Sequence, residues 1–522
     1  MMFYSIVPYG FSSDVRGSLY VSLIISLVAM VVTMLFVSVI VRRERVSGNR
    51  SIVLGSAIMM SAGSVLTPFS DPTTPVGMLV LGLSAVNYLF GLLLADEGHR
   101  RRRLGRRGLL LLAVLLNVLV WSRFRHLPAL SAWLAQWQDV LPVLAPAAMP
   151  AGFSFAVLIQ LAWLLGVYQR RIRPGGIVRQ ALFTTCFPYA LSGPLVRYEE
   201  TGPQFDALDM PRADDLARGL GLLVLGLAKK VLLADSLAPA ADAVFHAAAQ
   251  GLPLSTAEAW LGALSYTFQI YFDFSGYTDM AVGAALMLGL RLPENFAAPY
   301  RATGIVDFWR RWHMTLGRWL HDCLYLPLGG SRHGRVRQYA NLLLTMLVCG
   351  VWHGAGLTFL LWGALHGLLL LVNHAFRHLL RGSLAERVLA LPPLRALCVL
   401  VTFLCLTAAW VLFRAGDTGT ALHVWQSMFL WSDGHPLPLQ QGLEALLPGG
   451  LLEPRLLLPL LAVCAVIVWA LPCSQHVMLG RADGSRPRLH WQPTLPWAVA
   501  LALPALASLL LMQGHAFLSF RF

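Results

Sequence analysis

The sequence predicts an all-α, polytopic integral membrane protein, and three observations predict it. Of 522 residues, 57% are hydrophobic and only 13% charged, with a mean hydropathy of +0.63, far from the make-up of a soluble globular chain. Apolar runs of roughly 20 residues, enough to cross a hydrocarbon core of about 30 Å, recur along the whole length and leave no soluble domain of useful size. The Lys and Arg residues behind the formal net charge of +14 fall mostly in short links between those runs, as the positive-inside rule requires. That placement makes the charge a feature of topology and argues against nucleic-acid binding.

In chain order, a first span covers about Leu19 to Val41 and ends at Arg42, Arg43, Arg45 and Arg50. A second, about Ile52 to Phe69, ends at the turn SDPTTP, and a third ends at Ala95 before the densest positive run, Arg100 to Arg103 with Arg106 and Arg107. Basic links after the first and third spans, with a nearly uncharged one after the second, put the N-terminus outside and the two basic links in the cytoplasm. Ser12 to Ile40 is too long, and lacks the small-residue cleavage site, for a removable signal peptide.

A fourth span, about Gly108 to Trp121, leads to an exterior segment bearing Trp133 and Trp137; a fifth, about Pro150 to Tyr168, returns the chain to Arg170, Arg171 and Arg173. The next stretch, QALFTTCFPYALSGPLVRYEE, is apolar yet broken by Pro188, Gly193 and Pro194. It is expected to be re-entrant or interfacial, which membrane depth tolerates only against protein or a water-filled cavity. Leu216 to Ala238 reads as a helix whose Lys229, Lys230 and Asp235 mark a cytoplasmic end with snorkelling lysines.

Two further runs, Trp260 to Phe274 and Met280 to Leu290, are joined by DFSGYTD, which sets Asp273, Ser275 and Asp279 at or near membrane depth. A carboxylate there is kept only when paired or facing water; capping of helices in a loop is the other reading. Beyond the central stretch come a span at Arg395 to Arg414, a polar loop, and spans near Leu456 to Leu471 and Pro496 to Met512. About eleven to thirteen membrane segments result at this span length. The chain shows no internal repeat, unlike inverted-repeat transporters. It divides into N-terminal spans at 1–150, a core at 151–415 and C-terminal spans at 416–522, in one structural domain.

The chemistry concentrates between Asp307 and Gly367. At about 100° per residue, Phe308, Trp309, Trp312, Leu316, Trp319, Leu320 and Cys323 share one helical arc, with Arg310, Arg311, Arg318, His321 and Asp322 opposite. This pattern predicts an interfacial helix, its tryptophans at headgroup level and its arginines on phosphates of lipid or of an anionic cofactor. His313 stands at the edge of the apolar arc. His353 follows a run, Leu342 to Trp352, whose only polar side chain is Thr345, and is followed by the helix-interrupting Gly354 and Gly356. An ionisable group inside a membrane segment is a functional-site candidate, and a histidine there can act as a general base. Heme or metal ligation by His313, His353 and His366 is the rival reading, without a carboxylate or cysteine at a standard ligand spacing. The seven cysteines lie mostly within apolar runs and show no C-x-x-C pair, so neither a disulfide framework nor a zinc site is indicated.

The stretches FPYALSGPLVRY, GLAKKVLLADSLA, LGALSYTFQIYFDFSGYTDMAVG, ENFAAPY, DFWRRWHMTLGRWLHDCLYLPLGG, NLLLTMLVCGVWHGAGLTFLLWGALHG, WVLFRA and the terminal FLSFRF stand out. Together they resemble the membrane-bound O-acyltransferase family, in particular the bacterial polysaccharide branch that includes the alginate O-acetyltransferase membrane subunit. The resemblance covers about Gly152 to Ala415 plus the tail; FSFAVLIQLAWLLGVYQ departs from the usual pattern.

The resemblance implies helices surrounding a funnel, with His353 of WHG at the catalytic centre and His313 of RWHMTL as its partner. It implies a supporting or lining set of Asp273, Ser275, Asp279, Trp309, Trp312, Asp322, Asn341, Trp352 and His366, and donor-phosphate or lipid contacts at Arg310, Arg311 and Arg318. The expected reaction passes an acetyl group from a cytoplasmic thioester, acetyl-CoA or an acyl carrier, across the bacterial inner membrane for O-acetylation of an exopolysaccharide. No permanently bound cofactor and no metal are expected. Expected partners are periplasmic acetyltransferase proteins of SGNH-hydrolase type, a polysaccharide synthesis complex and membrane lipid, with no nucleic acid. Teichoic-acid D-alanyl transfer and a non-enzymatic transporter or flippase are the alternatives.

Overall fold

The computed structural model describes residues 76–96, 103–126, 152–208, 211–430, 454–480, 485 and 487–511. The first two expected spans, Arg100 to Arg102, the segment with Trp133 and Trp137, and the terminal FLSFRF lie outside the described residues. Every regular element among the described residues is helical, as the composition predicts. Three helices are long and apolar enough to cross a membrane by length and composition: α2 (Arg103–Arg125), α13 (Leu357–Leu380) and α15 (Pro392–Arg414). Shorter apolar helices are α1 (Val76–Ala95), α3 (Phe153–Tyr168), α17 (Pro454–Ala470) and α19 (Leu495–Leu511).

Helix α3 is apolar on every side, which suits an element enclosed by others, and its residues from Phe153 to Gln160 are all buried. It packs against α1 and α2. Its one amide, Gln160, accepts from Asn87 Nδ2, while Asn87 and Asn117 exchange side-chain hydrogen bonds of 3.0 and 2.7 Å. Such side-chain hydrogen bonds between apolar helices tie the three in register.

The broken stretch after α3 folds as three short helices, α4 (Ile177–Thr185), α5 (Phe187–Ala190) and α6 (Tyr198–Asp206), as its prolines require. A long helical rod follows: α7 (Ala213–Ala228), a π-helical turn over Lys229–Ala234, and α8 (Asp235–Ala249). The π turn corrects the expected helix end. Lys229 and Lys230 sit mid-rod, Lys230 is 4% exposed, and they are paired with Asp279 and Asp273.

The expected break at DFSGYTD is also overturned, because α9 runs unbroken from Thr256 to Met287 behind a Ser255–Glu258 capping box. Two close crossings explain why its glycines do not end it. A Cβ on Gly276 would lie 2.7 Å from the Gly226 carbonyl oxygen, and one on Gly219 would lie 2.7 Å from that of Gly283, so α7 and α9 touch backbone to backbone.

The central basic and aromatic stretch is not one interfacial helix. It forms α10 (Ile305–Trp309), a break, α11 (Met314–Leu320) and a π turn over His321–Tyr325. Its apolar residues Phe308, Trp312, Leu316 and Leu320 are 0–6% exposed, facing the protein rather than lipid. Helix α12 (Gly334–His353) then pairs with α13 in a hairpin joined by Gly354 to Gly356. After α14 (Leu384–Leu389) and α15, the expected polar loop begins instead with α16 (Thr418–Phe429); α18 (Ser474–Leu479) links α17 towards α19.

Candidate active site

The site is assembled by two helix interruptions. At the break between α10 and α11, His313 adopts φ +43°, a left-handed conformation uncommon outside glycine. The second interruption is the end of α12 at His353, where Gly354 takes extended backbone. A Cβ at Gly354 would fall 2.7 Å from Phe359 Cγ, so the glycine is required by the chain's own Phe359 ring.

Both histidines line one cavity of about 30 Å³ together with Trp312 and Trp352, room for roughly two water molecules. Its remaining walls are Phe155, Ile270, Phe274, Trp362, Trp410 and Phe413. His313 packs edge-on against Phe274 at 4.7 Å and stacks on Phe155 at 6.3 Å. Phe155 in turn meets Trp352 at 5.6 Å, and Trp352 meets His353 at 4.7 Å. His353 also contacts Phe413 and Trp362 edge-on at 5.1 and 5.3 Å.

Hydrogen bonds decide the His313 tautomer. Asn295 Oδ1 receives the Thr315 backbone amide at 3.2 Å, and an amide nitrogen only donates, so this Asn295 atom is the carbonyl oxygen. Leu195 N donates to Thr315 Oγ1 at 2.9 Å, and Thr315 Oγ1 donates onward to the same oxygen at 2.8 Å. His313 Nδ1, 3.1 Å away, must therefore donate to it. In the neutral ring Nε2 keeps a lone pair, and among the described residues it has no hydrogen-bond partner.

The other expected residues divide into two groups. His366 is fully buried one layer behind the cavity, accepting at Nδ1 from Trp309 Nε1 at 3.3 Å and packing 4.7 Å from Trp362. Asp273, Ser275, Asp279, Asp322 and Asn341 do not line the cavity. Lys230 Nζ is 2.8 Å from Asp273 and 2.7 Å from Asp235. Lys229 Nζ is 2.6 Å from Asp279 and donates to Ser275 at 3.4 Å, while Ser474 and Gln475 complete the shell of Asp279. These carboxylates are paired, not exposed to a water-filled path. Asp322 pairs with Arg197, and Asn341 Nδ2 caps the carbonyls of Leu328 and Gly330.

The arginines are likewise separated by their partners. Arg311 Nε is held 2.9 Å from Asp307, and Arg318 Nη1 lies 3.0 Å from Glu200, whereas Arg310 is exposed. Sequence reasoning did not single out Asn295 or Thr315, although both stand in the quoted stretches ENFAAPY and RWHMTL. Nor did it single out the aromatic wall. Phe155 comes from the stretch that departs from the family pattern, and tertiary folding alone brings it to the histidines.

The model of the membrane-bound O-acyltransferase family matches residues 108–413. "Probable alginate O-acetylase" of Pseudomonas aeruginosa is 38% identical over 67% of this chain and 66% of its own length. Its Azotobacter vinelandii counterpart is 38% identical over 68% of this chain and 69% of its own. A peptidoglycan O-acetyltransferase of Helicobacter pylori is 39% identical over 54% of this chain and 56% of its own. The matches thus span about two thirds of the alginate relatives and just over half of the peptidoglycan one. With its apolar helices and a family match over more than half its length, the chain belongs to the membrane-bound O-acyltransferase family, an acyltransferase class integral to membranes.

Proposed function

We propose that the chain transfers an acetyl group from a cytoplasmic thioester to an acceptor at the outer side of the bacterial inner membrane, for O-acetylation of an extracellular polysaccharide. The supporting observation is the pair His313 and His353 on one aromatic-walled cavity. As the acceptor hydroxyl oxygen bonds to the thioester carbonyl, its proton passes to His353; as the carbon–sulfur bond breaks, that proton goes to the departing thiolate. His313, its Nδ1 proton committed to Asn295, assists as an acceptor through Nε2. The aromatic wall excludes water that would hydrolyse the thioester.

Donor phosphates are assigned first to exposed Arg310, with Arg377 of α13, which shares His374 as a neighbour, completing a cationic patch. Arg311 and Arg318 act instead through their carboxylate partners. The relatives' names favour a glycan acceptor, alginate-like or peptidoglycan-like, finished by periplasmic acetyltransferase partners of a polysaccharide synthesis complex. The distribution of arginines around α1 and α2 favours a periplasmic N-terminus. Teichoic acid D-alanyltransferases are more distant relatives, so D-alanyl transfer is the weaker reading.

The test is His353→Ala in cells that make the polymer. Membrane levels are expected to stay normal while polymer acetylation falls at least a hundredfold; full acetylation with normal insertion would overturn the assignment.

A further inference from the structure

Outside the cavity, Glu294, Cys473 and His476 bring a carboxylate, a thiol and an imidazole together. Their ligand atoms all lie within 4.8 Å of one another, with His476 Nε2 2.8 Å from Glu294 Oε1. All three residues are half-buried, so a hydrated ion can reach them while the protein shields them from most water. Local geometry aligns two of them: Cys473 is the residue before α18, and His476 follows three positions later in its first turn. Glu294 arrives from the loop after α9.

We infer that Glu294, Cys473 and His476 form a binding site for a divalent transition-metal cation of the zinc class. Thiolate sulfur, imidazole nitrogen and carboxylate oxygen are the donors zinc takes, and three protein ligands leave a fourth tetrahedral position for water. Magnesium and calcium, which take oxygen donors, do not match this set. Without metal, His476 pairs with Glu294 at 2.8 Å; metal uptake exchanges that contact for metal–ligand bonds and releases the displaced ligand protons to solvent.

The position gives the site a role beyond storage. Glu294 directly precedes Asn295, whose carboxamide fixes His313, and Cys473 and His476 flank Ser474 and Gln475, which hold Asp279. None of the three ligands lines the cavity. A cation here ties the loop that orients His313 to the C-terminal helices, as a clip rather than a catalytic centre.

The experiment uses the full chain, stripped with chelator in detergent or nanodiscs and titrated with Co²⁺ as a spectroscopic stand-in for zinc. The expected result is one equivalent of Co²⁺ with a thiolate-to-cobalt charge-transfer band, displaced by Zn²⁺ and absent from Cys473→Ser. Zn²⁺ should also slow alkylation of Cys473, read on its own peptide by mass spectrometry. Should Cys473→Ser fail to fold, Glu294→Gln serves instead. It keeps a hydrogen-bond partner for His476 but removes the ligand charge, and should weaken Co²⁺ binding tenfold or more. Absence of the band, a band unchanged in both variants, or equal alkylation with and without Zn²⁺ would each overturn the site. These readouts do not depend on which histidine catalyses, so the site and the acyl-transfer reading fail separately.

Discussion

At the scale of single residues, Asn295 decides how His313 presents its ring. Its oxygen collects three donors, from His313, the Thr315 amide and the Thr315 hydroxyl, and so holds the His313 proton on Nδ1. Asn295→Ala is expected to let the ring turn and exchange tautomers. Turnover should fall by roughly 10²-fold, the usual consequence of misplacing a reacting group, with little change in KM for the thioester. Thr315→Ser, which keeps the hydroxyl, should stay near wild type. Steady-state kinetics on purified protein check this; an equal loss in Thr315→Ser would point to packing instead. His353 was visible in the sequence because only Thr345 shares its apolar run. Asn295 was not, since a sequence shows that a side chain is polar but not where its hydrogen bonds end.

At the scale of elements, two readings failed for one reason: the partners lie far apart in the chain. DFSGYTD looked like a loop because it carries two aspartates and a glycine. The structure answers each of them from α7 and the π turn, with Gly226 against Gly276, Lys229 against Asp279 and Lys230 against Asp273. Lys230→Met removes the cation beside Asp273, which is 1% exposed. The expected cost is about 3–5 kcal/mol, as for breaking a buried pair from one side, and adding Asp273→Asn should restore part of it. Gly276→Leu should destabilise through overpacking by about 1–3 kcal/mol or more. Gly82→Ala on α1, where an added Cβ meets nothing within 4 Å, is the neutral comparison. Unfolding in detergent measures all four. A Gly276→Leu protein as stable as Gly82→Ala would contradict the backbone contact.

At the scale of the whole molecule, composition was enough for an all-helical membrane protein, and the motifs around His313 and His353 were enough for the family, because both are carried by contiguous residues. The cavity wall was not legible, since its aromatic residues come from α3, α9, the stretch around α10, α12, α13 and α15 and meet only when those helices pack. Under the proposed acetyl transfer, the wall would gauge acyl length, because the cavity is only about 30 Å³ and Phe155 bridges His313 and Trp352 across it. Each added methylene should therefore cost roughly tenfold or more in kcat/KM, so a butyryl thioester is expected to be a poor donor for the natural chain. Phe155→Ala should remove most of that discrimination, with acetyl transfer falling less than butyryl transfer rises. Comparing the two donors in membranes of each variant settles the matter. A natural chain that takes butyryl as readily as acetyl, or a Phe155→Ala chain that loses both equally, would show that the wall does not measure the acyl group.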